Sequence, residues 1–301
     1  MVEVQKSMNI YSILKEKPLT IVLLLTAWLS ISLSSIIVLL SGEPAHICAF
    51  WRVTLTTLIL LTYMLITRSW ITGIPKRILL LSFISGLSLA LHFLLWMTSL
   101  YLIPVSLSTT LVVTYPMISA IIEHTALKTS LSMGEVLGLL IAFLGVFIAM
   151  APTTSNQALL LGSLLALGGA FLASIYFTVG RVLRTSNLNL LSYTTLSYGT
   201  ASLVLLGYIA IGGSRLLPKS ADSWSYMILL AIIPMLGGHT VMNYLLKKLK
   251  THVVTSIALG EPAGASLLAA LILAQYPSFN LIIGMILTVM GVWIVIRKGV
   301  K

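Results

Sequence analysis

The residues with the clearest potential for chemistry are a carboxylate and a proline that interrupt a long apolar run. Glu261 and Pro262 lie midway along His252–Ala274, a stretch long enough to cross a bilayer. Proline removes a backbone hydrogen bond and bends a helix, and a carboxylate is costly in hydrocarbon, so Glu261 should face a wet or protein-lined interior. There it could bind a substrate amine or carry a proton, because burial favours the neutral form of a carboxylic acid. The alternative is a neutral glutamic acid that bonds a neighbouring helix and holds the bend.

A polar stripe follows helical spacing in the apolar segment 76–99. Its members are Ser85, Ser88, His92, Trp96 and Ser99. Lipid would reject such a face, so it should line a cavity or meet another helix. We predict that His92 either bonds a neighbouring helix or contacts a substrate or proton, and we include Trp96 among the candidate substrate contacts.

Three other segments offer candidate side chains within the membrane. His239 and Asn243 are four residues apart and share a helix face, with the same two alternatives for the histidine. Trp28 could stack on a substrate or pack in the core. Tyr198, about a third of the way along its segment, is a candidate for the cavity wall. Tyr193, nearer the segment end, fits the interfacial aromatic belt.

One arginine lies inside an apolar segment. Arg52 is about seven residues, or roughly 10 Å, from the start of segment 45–67. A side chain of this length can reach the headgroups from such a depth, or form a structural pair. The alternative is that Arg52 binds a substrate carboxylate. Glu123, His124 and Lys128, at the end of segment 105–125, are expected at the interface.

The composition leaves no room for a sizeable soluble domain. Of the 301 residues, 58% are hydrophobic and 8% charged, against roughly 25% charged in soluble domains, and the mean hydropathy is +1.06. The net charge is +11, but the basic residues are scattered over short loops and do not suggest a nucleic-acid site. The single cysteine, Cys48, cannot form an intrachain disulfide. No metal-ligand cluster or cofactor motif is apparent, so we expect no cofactor.

Apolar segments account for most of the chain and predict an all-α integral membrane protein with ten transmembrane helices. The segments are 19–40, 45–67, 76–99, 105–125, 133–151, 157–180, 190–212, 223–246, 252–274 and 278–297. With the N-terminus in the cytoplasm, all 18 basic residues except Arg52, Arg215 and Lys219 fall on the cytoplasmic side. We therefore expect both termini in the cytoplasm and a multi-pass protein of the cell membrane.

An internal repeat divides the chain into residues 1–152 and 153–301. At a shift of 146 residues (262 minus 116), Pro116 matches Pro262, and Gly138 and Gly145 match Gly284 and Gly291. Five helices in each half make the second half inverted relative to the first, a common transporter plan. Tyr115 occupies the register of Glu261, so it could face the same cavity. Pro116 and Pro262 should act as hinges or as static kinks at matched depths.

The doubled pattern resembles the drug/metabolite transporter superfamily, in particular its EamA-type permeases, over nearly the whole chain. The resemblance rests on the five-plus-five plan, the glycines of the fifth helix in each half, Trp28, Phe50-Trp51-Arg52, Tyr115-Pro116 and Glu261-Pro262. It implies export or exchange of small polar or amphipathic metabolites, often amino acids, by alternating access without ATP.

We therefore expect a secondary transporter that moves a small molecule through a midplane cavity between the repeats, with possible proton coupling. The sequence has no GxxxxGK[ST] motif for ATP binding. A lipid-linked sugar flippase is the main alternative. An intramembrane enzyme using Glu261, His92 and His239 is less favoured, because no paired acids, HExxH motif or nucleophile in a recognisable setting accompanies them, and we expect no enzymatic activity. A non-transporting scaffold would leave Glu261 without a use.

Overall fold

The computed structural model describes residues 18–69, 73–128, 131–150, 156–186 and 188–299, and every regular element within them is helical. Nine helical stretches in this part of the chain are long and apolar enough to cross a membrane, and Phe279–Val295 is a shorter apolar helix. The expected all-α fold with membrane-spanning helices is therefore confirmed. Up to residue 150 the helices are α1 (Pro18–Ser32), α2 (Ser34–Leu40), α3 (Ala45–Thr67), α4 (Lys76–Ser99), α5 (Val105–Val112), α6 (Tyr115–Leu127) and α7 (Met133–Met150).

From residue 156 onward, the described residues form seven α-helices and two segments of other helical types. The α-helices are α8 (Gln157–Thr185), α9 (Leu190–Ile211), α10 (Ala221–Leu230), α11 (Val241–Leu245), α12 (Thr251–Thr255), α13 (Glu261–Leu273) and α14 (Phe279–Gly299). A π-helix, Ala231–Thr240, joins α10 to α11, and a 3₁₀ segment, Ser256–Gly260, joins α12 to α13.

Apolar side chains cover the outside of the bundle, and polar ones are enclosed. Phe147, Leu203 and Leu271 are at least 70% exposed, whereas Ser85 and Asn243 are fully buried. This is the reverse of a soluble protein, because hydrocarbon solvates apolar surface and rejects unpaired polar groups. The helix bundle is therefore built to present its outer face to lipid.

Two helices are interrupted at matched positions. α5 ends at Val112 and α6 starts at Tyr115, while α13 starts at Glu261 after the 3₁₀ segment. α6 and α13 are each 13 residues long and carry proline in the first turn, where the missing N–H costs nothing. Each is followed by a residue in the left-handed conformation: Lys128, with φ of 55°, and Ala274, with φ of 53°. The prolines therefore begin new helices after a break, instead of bending continuous ones.

Close contact between α7 and α14 depends on glycine. A Cβ added at Gly145 would lie 2.7 Å from the Gly284 carbonyl oxygen, and one at Gly284 would lie 2.7 Å from the Gly145 carbonyl oxygen. Gly138 and Gly291 are in the same reciprocal contact further along. Residue numbers rise along α7 as they fall along α14 from one contact to the next, so the two helices are antiparallel. The small glycines let the two backbones touch.

The π-helix breaks the regular spacing of the segment that bears His239. It contains Pro234, which cannot donate the hydrogen bond that an α-helix requires. The carbonyl of Ala231 accepts a bond from the Thr56 hydroxyl of α3 at 3.2 Å. Gly238 packs on Ile31 of α1, because a Cβ there would lie 2.8 Å from the isoleucine side chain. The π-helix thereby fixes the direction in which His239 points.

A cluster around Glu43 closes one end of the bundle. The Glu43 carboxylate pairs with Arg215 and accepts a bond from the Lys219 backbone N–H at 2.7 Å. The Tyr101 hydroxyl donates to the Glu43 carbonyl at 2.5 Å, and burial raises the pKa of this phenol. The cluster attaches the α9–α10 loop to the α2–α3 turn.

Candidate functional site

A small chamber lies at the level of the two helix breaks. Its free volume is about 30 Å³, enough for a water molecule but not for an organic solute. The lining residues come from both halves of the chain: Ile31, Ser34, Arg52, His92, Trp96, Val112, Tyr115, Phe177, His239 and Glu261. Six of the candidate residues, Arg52, His92, Trp96, Tyr115, His239 and Glu261, are thus brought together.

Arg52 points into this chamber. It is 1% exposed, Nη1 donates a hydrogen bond to the Ser34 hydroxyl at 2.8 Å, and the guanidinium carbon lies 4.1 Å from the Phe93 ring centroid. The expectation that Arg52 reaches the headgroups is wrong, because Ser34 and Phe93 provide polar and π contacts on the inner side. Among the described residues no carboxylate forms an ion pair with it. The Arg52 guanidinium and the Glu261 side chain line the same chamber.

Glu261 places a carboxyl group on the same chamber. It is 6% exposed and is the first residue of α13, directly after the 3₁₀ segment. Tyr115, the first residue of α6, lines the chamber from the matching position of the other half. A buried cationic group and a buried acidic group therefore share one small volume.

Aromatic rings and two histidines form much of the wall. His92 Nδ1 lies 2.8 Å from the Gly169 carbonyl of α8, so the expected interhelical hydrogen bond is present. The His92 ring is parallel to that of Trp96. The His239 ring stacks on Phe177, with centroids 5.7 Å apart, and meets the edge of Phe93. The wall can therefore contact the face of a planar or apolar group.

Three candidates lie outside the chamber lining. Trp28 packs against Gly260, where a Cβ would overlap the indole. Asn243 Nδ2 donates to the hydroxyls of Tyr176 at 2.5 Å and Tyr198 at 3.0 Å, and Tyr198 also bonds Thr240. Asn243 and Tyr198 therefore belong to a buried network that joins α8, α9, the π-helix and α11 beside the chamber.

Two interfacial assignments are wrong. Tyr193 is fully buried and bonds the Ser85 hydroxyl at 2.9 Å. Glu123 is 8% exposed, and its carboxylate lies 3.2 Å from His252 Nδ1. Both residues lie near helix ends, as an interfacial residue would, but each meets a polar partner on a neighbouring helix.

Several residues of the chamber wall could not be predicted from their position in the chain. Ser34, Phe93 and Phe177 are ordinary members of apolar segments, and nothing in their spacing separates them from core packing. For Phe177, the small residues Ala173 and Gly169, one and two turns earlier, indicate a packed face of α8, but not a chamber.

Comparison with known proteins identifies a family, a curated protein of similar sequence and a solved structure of similar fold. The model of the EamA-like transporter family matches residues 18–151 and 160–297. An uncharacterized transporter of Archaeoglobus fulgidus is 25% identical over 183 residues, which are 61% of this chain and 64% of the relative, so the match spans less than two thirds of that protein. A crystal structure of another protein has a TM-score of 0.68 at 17% identity, covering 91% of this chain and 96% of that one, and shows the shared fold alone.

Proposed function

Because the chain belongs to the EamA-like transporter family, and is thus a membrane transporter of the drug/metabolite transporter superfamily, we propose that it is a secondary carrier of the cell membrane. In this proposal ten spans form two inverted repeats, 1–152 and 153–301, with both termini in the cytoplasm. The matched starts and lengths of α6 and α13 support the repeat. The antiparallel contact of α7 and α14 supports its inversion, because equivalent helices of two inverted copies run in opposite directions.

The substrate is a small zwitterion such as an amino acid. One observation supports this most directly: Arg52 and Glu261 are both buried and line the same chamber. Arg52 would bind the carboxylate through its free guanidinium nitrogens, and Glu261 would bind the amine. Trp96, Tyr115, Phe177 and the histidines would contact the remaining, less polar part.

The mechanism is alternating access. A chamber of about 30 Å³ cannot hold an amino acid, so the described conformation must widen at one end to load substrate. Pro116 and Pro262, at the two helix breaks, are the hinges of this change. Without an ATP-binding motif in the sequence, the drive comes from the substrate gradient, from exchange, or from a proton on Glu261.

Reconstitution in liposomes tests the proposal. Uptake of a panel of labelled amino acids and related metabolites is measured with and without a pH gradient, in parallel with the Arg52→Gln variant. We expect uptake of at least one zwitterion by the wild type and loss of it in the variant. Absence of uptake across the panel, or uptake unaffected by Arg52→Gln, would contradict the proposal.

A lipid-linked sugar flippase would need a chamber open to the bilayer. The described conformation instead has an apolar groove of about 330 Å³ on its lipid face, lined by residues of α3, α10 and the π-helix, and the charged chamber is separate from it. The same liposomes with a lipid-linked sugar distinguish the two activities. An intramembrane enzyme remains disfavoured, since the family is one of transporters.

A further inference from the structure

The breaks in α5–α6 and α12–α13 create helix ends that meet across the two halves of the chain. At one end of the chamber, Glu123 of α6 faces His252 of α12, with Oε2 and Nδ1 3.2 Å apart. Both residues are buried. We refer to this end as the basic end, because Lys247, Lys248 and Lys250 precede α12 there. The pair directly joins the two interrupted helices.

At the opposite end, the joining group is neutral. The Gln275 side-chain oxygen, just beyond α13, accepts a hydrogen bond from the Val105 backbone N–H at the start of α5 at 3.1 Å. Val105 and Thr251 are equivalent at the repeat shift of 146 (251 minus 105), so both contacts secure the first turn of an equivalent helix. The two contacts are not equivalent in the repeat register, because Glu123 corresponds to Ala269 and His252 to Ser106. They also differ in chemistry, since one contains a histidine and the other does not.

A line of residues on α6 connects the chamber to the ion pair. Tyr115 lines the chamber, and Ser119 and Glu123 follow at intervals of four on the same face of the helix. All three are buried. The pair therefore lies where the chamber would continue toward the basic end if α6 and α12 moved apart.

The charged and titratable groups on the neighbouring elements are basic at this end. They are His124 on α6, Arg181 and Arg184 on α8, Lys250 before α12 and Arg297 on α14. Arg181 donates to the Leu246 and Leu249 carbonyls, and Arg184 to those of Asn243 and Leu188. These neighbours put positive charge on the elements around the pair, and the imidazole and carboxylate, 3.2 Å apart, are close enough to share a proton.

We propose that Glu123 and His252 form a second proton-binding site, outside the chamber, whose protonation holds the basic end closed. This inference rests on the alternating-access proposal. With His252 protonated, the contact is a charged pair and α6 stays against α12. As pH rises and His252 loses its proton, the attraction falls to that of a neutral hydrogen bond, and the basic end opens more often. The Gln275–Val105 contact at the other end has no such dependence.

Thiol accessibility tests this proposal without substrate. In a Cys48→Ala background, Ser119→Cys reports the basic end, and Ala265→Cys, its equivalent at the repeat shift, reports the opposite end. Both positions are fully buried. The protein is held in lipid nanodiscs, which expose both of its ends to a membrane-impermeant maleimide. The orientation of the protein in the membrane therefore does not affect the labelling rates.

We expect the ratio of the Ser119→Cys rate to the Ala265→Cys rate to rise by about fivefold from pH 6 to pH 8, the order expected for loss of one charged pair. Because the two thiols can ionise differently, the change of this ratio with pH is compared between the wild-type pair and its variants. In Glu123→Gln and in His252→Gln, it should already be high at pH 6 and should not change with pH. Two variants are used so that poor folding of one does not prevent the test.

A pH-independent ratio in the wild type, or the same rise in both variants, would overturn the proposal. Either result would leave the proposed function intact if the liposomes still transport a zwitterion. Conversely, failure of transport with the expected pH-dependent ratio would contradict the proposed function and retain the proton site.

Discussion

The guanidinium carbon of Arg52 lies 4.1 Å from the centroid of the Phe93 ring. The opposite arrangement, an arginine extending toward the headgroups, would leave Phe93 and the Ser34 hydroxyl without this partner. Phe93 also meets His239 at a ring distance of 5.1 Å. One phenylalanine thus contacts both the cation of the chamber and one of its histidines, and it holds Arg52 on the chamber wall, where the proposed substrate carboxylate would bind.

Two replacements of Arg52 should show separately how the charge and the planar shape of the guanidinium contribute to substrate affinity. Arg52→Gln removes the charged hydrogen bond to a substrate carboxylate and should weaken apparent affinity about tenfold to a hundredfold. Arg52→Lys, the matched control, keeps the charge but loses the planar fork, so it should fall between the two. Concentration dependence of uptake in liposomes measures the effect. Equal affinity in all three proteins would show that Arg52 does not bind substrate.

Glu261→Gln should uncouple transport from protons. The glutamine keeps the size and hydrogen-bonding capacity of the side chain but cannot take up or release a proton. We expect a pH gradient to accelerate wild-type uptake and to have no effect on the variant, while substrate exchange persists. Glu135→Gln, a buried carboxylate at the start of α7, is the control and should respond like the wild type. If Glu261→Gln retains the full response, the proton is carried elsewhere.

Gly260→Ala should disturb the break before α13. Its Cβ would overlap the Trp28 indole, and overpacking of this kind costs about 1–3 kcal/mol. Gly207→Ala on α9 is the control, because nothing lies within 4 Å of its added Cβ, and it should change stability by less than about 1 kcal/mol. Thermal unfolding in detergent compares them. Equal melting temperatures would mean that Trp28 can move aside.

Asn243→Ala should lower stability without changing substrate affinity. The substitution removes two hydrogen bonds and leaves the Tyr176 and Tyr198 hydroxyls short of a partner, at a cost of about 1–3 kcal/mol. Tyr176→Phe removes only the Tyr176 hydroxyl from the same network, leaves the Asn243–Tyr198 bond in place and should cost less. The decisive readout is apparent affinity: a change as large as that of Arg52→Gln would place Asn243 in direct contact with substrate.

Much of the fold and part of the site follow from the sequence for identifiable reasons. The length of the apolar segments predicts the membrane-spanning helices, because backbone groups in hydrocarbon must be paired within a helix. Prolines at a fixed shift locate the breaks before Pro116 and Pro262. His92 and Trp96 were placed on the chamber because a polar stripe at helical spacing cannot face lipid.

Other features depend on tertiary contacts that spacing does not encode. The inward direction of Arg52 depends on Ser34 and Phe93, which come from two other helices. The burial of Glu123 depends on His252, 129 residues later. Depth along a helix predicts how close a residue lies to the interface, but not whether a partner on another helix receives its side chain.

The contact between α7 and α14 limits how the two halves can move. The glycine backbone of each helix contacts carbonyl oxygens of the other helix, at Gly145 and Gly284 and again at Gly138 and Gly291. Sliding along either axis would drive the neighbouring side chains, such as Thr288 and Val295, into the opposite backbone. If the proposed alternating access occurs, we therefore expect the two halves to rotate about this crossing and not to slide along it.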